Sequence, residues 1–77
     1  KLTTKTAVQA GINLGWLYEN AGDFEQARDI LSECRKLAEE NKLKGEEVNY
    51  LKDYLEIICR RITEMEILDR QTLPAEP

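Results

Sequence analysis

Cys34 and Cys59 are the side chains of this sequence with the most latent chemistry. A thiolate can attack an electrophile or bind a metal, but a base or cation must first activate it. The chain contains no histidine, which removes the commonest general base and the commonest metal ligand. Two thiols without imidazole partners do not complete a zinc site. A disulfide between neighbouring helices is geometrically open, yet a sequence this rich in helix formers does not read as a disulfide scaffold. The expectation is two buried free thiols in a reducing compartment, the cytoplasm or the nucleus. Carboxylates are plentiful, but on helix faces they are ordinarily solvated charges. The sequence holds no Gly-rich phosphate loop and no Ser-centred elbow. The reading is of a protein that is not an enzyme, with no cofactor, no metal and no small-molecule substrate.

Seventy-seven residues allow one domain with a small core. Apolar burial nearly balances chain entropy at this length, so neighbouring chain or self-association is expected to matter. The chain starts without Met in a Thr-rich polar stretch, and is expected to be a fragment of something longer. A net charge of −4 argues against nucleic acid, which calls for clustered Lys and Arg. No apolar run approaches the roughly 20 residues that span a bilayer, and no signal peptide is visible. The third helical stretch lacks the strongly basic face of a membrane-surface helix.

The elements that position these residues are three helices, giving an all-α fold in a single domain over residues 1–77. They are expected over 4–21, 24–42 and 46–70, with a frayed tail at 71–77. Thr3 or Thr4 caps the first helix, and Gly22 ends it in a left-handed conformation. Asp23 caps the second, with Gln26 completing a variant capping box. The second helix carries Ala27, Ile30, Leu31, Cys34, Leu37 and Ala38 at helical spacing. Gly15 and Ala27 are suited to a close crossing of two antiparallel helices, and Tyr18 and Phe24 to filling the space beside it.

The run Leu14-Gly15-x-x-Tyr18-x-x-x-Gly22-Asp23-Phe24-x-x-Ala27, with the later Leu31 and Cys34, resembles the tetratricopeptide repeat. That family is built of helix-turn-helix units of about 34 residues. The match covers Val8 to Asn41. It departs from the family at Gly11, where a tryptophan is frequent, and at Glu39, where a proline usually closes the unit. The segment from Lys5 to Cys34 also looks like a unit of the kinesin-light-chain-like, amyloid-precursor-tail-binding adaptors. Both resemblances imply a scaffold that binds another protein.

The third helix is long for a repeat unit. Val48, Leu51, Leu55, Ile58, Ile62 and Met65 alternate three and four apart, a seam that can pack along one partner for many turns. Tyr50, Tyr54, Ile57, Cys59 and Leu68 widen its apolar surface. Two explanations compete. The helix is the lengthened first helix of a following repeat, whose remainder would cover its far end, or it is a capping or dimerising helix that pairs with a copy of itself or with another chain; its register also fits simple packing over the hairpin.

The resemblance implies that the first helix lines the concave, ligand-bearing side of the stack. Leu14, Gly15 and Tyr18 then point into the hairpin, leaving Gln9, Ile12, Asn13, Trp16, Glu19 and Asn20 on or near the open side. Asn13 is the sharpest candidate, because an amide donates and accepts together and can pair with a peptide backbone whatever its side chains. Trp16, the sole tryptophan, either stacks on a ligand or is covered by the third helix or by a following repeat. Glu19 would bias the groove towards basic peptides. The expected function is a protein–protein interaction module that binds a peptide or helix. The alternative is homo- or hetero-oligomerisation through the third helix, including a homodimer.

Overall fold

In the computed structural model of the chain, which describes residues 3–72, three helices follow one another: α1 (Thr4–Asn20), α2 (Phe24–Glu40) and α3 (Glu46–Thr72). The described residues form no strand. The architecture is all-α, a short hairpin plus a longer third helix. α1 and α2 form the closest pair, and α3 packs mainly on α2 and more lightly on α1.

Local chemistry sets each boundary. Thr3 caps α1, its side chain accepting from the Thr6 N–H at 3.1 Å. Gly22, at φ +83°, turns the chain out of α1. The Gly22 N–H donates to the Glu19 carbonyl at 2.9 Å and the Asp23 N–H to the Tyr18 carbonyl at 2.8 Å, the paired bonds of a Schellman ending. Asp23 then caps α2 by accepting from the Gln26 N–H at 3.1 Å. The expected capping box is only half made, because the Asp23 N–H is already engaged by Tyr18 at the end of α1. α2 ends the same way, with Lys42 at φ 55° where a glycine is usual. The Leu43 N–H reaches the Ala38 carbonyl at 2.9 Å.

The hairpin closes tightly along α1. A Cβ on Gly11 would lie 1.9 Å from Cys34 Sγ, and one on Gly15 would lie 3.1 Å from Leu31 Cδ2. Cys34 fills the space that a side chain at position 11 would take. Ala27 is fully buried in the core, and Tyr18 and Phe24 pack against its edge, as the spacing requires. Arg61 of α3 lies over the Phe24 ring, 5.5 Å from its centroid.

The seam of α3 is consumed by the hairpin over most of its length. Val48, Leu51, Leu55, Ile58 and Ile62 join Val8, Ile12, Leu31 and Ala38 in one core. Each fully buried aliphatic side chain contributes about 1.5–3 kcal/mol. Met65 departs from the seam and is 45 % exposed. The reason is length, since α3 has 27 residues and each hairpin helix 17, or about 40 Å against about 25 Å at 1.5 Å per residue. Its last turns run past the hairpin, leaving Ile67 and Leu68 exposed too. α3 also continues helical to Thr72 rather than fraying after Arg70, and the rest of the expected tail, 73–77, lies outside the described residues. No helix among the described residues is long and apolar enough to cross a membrane.

Candidate functional site

α1 presents its buried line through Val8, Gly11, Ile12 and Gly15. The next side chains around the helix, Gln9, Asn13 and Trp16, therefore face away from the α1–α2 crossing, at the side where α3 begins. There they line an open groove of about 440 Å³, whose other wall is Glu46, Glu47 and Tyr50 from the first turns of α3. Ile12 forms part of the lining, but it is only 5 % exposed and belongs to the core. It was expected on or near the open side, and it forms the floor of the groove rather than an exposed wall.

Trp16 packs against α3, as one of its two readings expected. It is covered in part by α3 and yet remains 42 % exposed. Its Nε1–H donates to the Tyr50 hydroxyl at 3.2 Å, and the two rings stand 6.2 Å apart with their planes at 73°. Tyr50 stacks in turn on Tyr54, at 5.9 Å and 25°. Such aromatic pairs contribute about 0.5–1.5 kcal/mol beyond their area burial. Gln9 and Asn13 are exposed, and neither amide has a hydrogen-bond partner among the described residues.

Glu19 does other work than expected. Its Oε1 accepts from the Tyr54 hydroxyl, which ties the end of α1 to α3 and draws Glu19 away from the groove wall. Burial first, and then this carboxylate, raise the Tyr54 phenol far above its ordinary value. Asn20 is exposed but outside the groove lining. Leu14, expected inside the hairpin, is 45 % exposed. One position round from the buried line, it joins Ala7, Ala10, Gly11 and Ile30 in a smaller depression of about 370 Å³ on the outer face of the hairpin.

The groove's carboxylates were not singled out from the sequence, although Glu46 and Glu47 are recognisable there as acidic residues of a helix's first turn. Tyr50, noted only as apolar surface on the third helix, proves to be half of the aromatic corner. No local spacing places it there, because the corner forms only where α3 returns beside α1. Glu47 pairs with Lys5 of α1 at 3.4 Å. Its carboxyl is held below the ordinary range by its own backbone N–H first and by Lys5 second.

The thiols divide. Cys34 is buried and Cys59 exposed, and both are free, so the expectation of two buried cysteines holds for one of them. Cys59 follows the fully buried Ile58 and is turned outward by the helix. Burial, and secondarily Glu33, push the Cys34 thiol up, the wrong direction for a nucleophile. Among the described residues no group of three or more His, Cys, Asp or Glu is gathered to hold a metal. No protein-family model, curated protein or solved structure matches the chain.

Proposed function

We propose that this chain is a protein-interaction module that grips a peptide or helix of a partner protein in the groove between α1 and the start of α3. The observation that carries the proposal is the joining of unpartnered amides and half-exposed aromatic rings in one open groove. Amides can bond an extended backbone, and tryptophan and tyrosine are the side chains that most often anchor interfaces. The close Gly15–Leu31 contact supports kinship with tetratricopeptide-type hairpins, in which α3 would be the first helix of a following unit. Two free thiols suit the cytoplasm or nucleus.

The test is selection of binders from a displayed library of random linear peptides. Groove binders are expected to change the fluorescence of Trp16, the sole tryptophan. They should weaken at least about tenfold on Asn13→Ala or Tyr50→Ala, as anchors of this type do, and not on Glu39→Gln, an exposed position on α2. Binders indifferent to Asn13 and Tyr50 would contradict the proposal.

A second reading, assembly through α3, is favoured by the overhang that exposes Met65, Ile67 and Leu68. It needs no part of the Val48–Ile62 seam, which the hairpin occupies. Its check is solution mass by light scattering over a wide concentration range. A dimer that Met65→Glu dissociates without loss of helicity would favour assembly, and a monomer throughout would remove it.

A further inference from the structure

We infer that the groove selects a cationic side chain, lysine or arginine, on an extended partner segment, with the charge seated in the Trp16–Tyr50 corner beside Glu46 and Glu47. The inference rests on the groove reading above and names what that groove would recognise.

Three features converge on a cation. The Trp16 and Tyr50 planes, at 73°, form a corner that the indole N–H to hydroxyl bond holds in place. Aromatic faces carry the negative part of the ring quadrupole and attract ammonium and guanidinium groups. The adjoining wall supplies Glu46 and Glu47, and no residue lining the groove is basic. The third feature is that the chain's own Lys5 is already drawn to this rim, 3.4 Å from Glu47. Glu46, by contrast, has no ion-pair partner among the described residues.

The amides of Gln9 and Asn13 complete the picture by bonding the segment's backbone while the corner reads one side chain. A neutral segment would find the same amides without the charge contacts. An acidic one would face two carboxylates and a π surface, an arrangement that discriminates by repulsion. Lys5 then acts as a resident competitor, because a second cation must share or displace its hold on Glu47.

The test uses four pools of acetylated, amidated hexapeptides with one fixed central residue: lysine, arginine, norleucine or glutamate. The other positions are randomised over uncharged residues. Binding is read by Trp16 fluorescence and by amide chemical shifts of the full chain. The lysine and arginine pools are expected to bind about fivefold or more tighter than norleucine, in keeping with a partly exposed cation–π and carboxylate site. The gap should narrow in Glu46→Gln and at high salt, and widen in Lys5→Met, where Glu47 loses its internal partner. Norleucine or glutamate pools binding as tightly as lysine would overturn the cation selectivity while leaving the groove reading standing. No pool binding at the Trp16 groove would overturn both.

Discussion

Gly11 of α1 faces Cys34 of α2 so closely that a methyl group on the glycine would lie 1.9 Å from the cysteine Sγ. The hairpin therefore closes through a matched pair, an absent side chain on one helix and a small, buried one on the other. Gly11→Ala should cost about 1–3 kcal/mol, the usual range for overpacking. The cost should shrink in a Cys34→Ala background, since the Cys34 Cβ would lie at an ordinary 3.5 Å. Urea unfolding of the two single variants and the double variant checks this, with a coupling above about 0.5 kcal/mol expected for residues in contact.

Lys42 leaves α2 at φ 55°, in the left-handed region that costs an L-residue roughly 1–2 kcal/mol. Lys42→Gly should therefore stabilise the chain, by about 0.5–1 kcal/mol once glycine's greater loss of backbone freedom is subtracted. A rise in the thermal midpoint by circular dichroism would bear this out.

Tyr54 makes stability sensitive to alkali. Its phenol is raised above the ordinary value of 10.0 by burial and by the bond to Glu19. Above pH 10 the unfolded chain gives up this proton more readily than the folded one, so stability falls as pH rises. Cys34, raised from 9.0 mainly by burial, acts in the same direction and begins about one pH unit lower. Below pH 9 both contributions are fully present. Tyr54→Phe should flatten the loss above pH 10 and leave the Cys34 portion, which unfolding midpoints measured across pH 8–12 would resolve.

The overhang of α3 predicts a gradient of mutational cost along one helix. Ile58→Ala, at a fully buried position, should cost about 2–5 kcal/mol. Met65→Ala, at an exposed one on the same seam, should cost under about 1 kcal/mol. Equal costs in denaturant unfolding would mean that the last turns of α3 are covered in solution.

The three helices were legible because Thr3, Gly22 and Asp23 declare their caps locally and the apolar residues repeat at helical spacing. The seam was legible for the same reason, up to Ile62. Its end was not, because periodicity says which face of a helix is apolar and not how long its partner is. Leu14 was expected inside the hairpin and is exposed, whereas Ile12, expected near the open side, is buried. Two positions apart, they lie about 200° round the helix, and both are apolar, so the pattern of α1 alone does not say which face its neighbours cover. Gln9, Asn13 and Trp16 follow from the face of α1 alone. Tyr50 and Glu46 enter the groove only through the way α3 returns beside α1, a long-range contact that no local pattern encodes. Glu19 left the binding set for a like reason, since its partner Tyr54 is remote in sequence.

The most direct test of the central claim is a map of amide chemical shifts for the full chain titrated with peptides selected for binding. The shifts are expected to gather at Gln9, Asn13, Trp16, Glu46 and Tyr50, with the Trp16 indole N–H among the largest. Shifts confined instead to Ile57, Met65, Ile67 and Leu68, with the Trp16 indole unmoved, would contradict that claim and make the overhang of α3 the interacting surface.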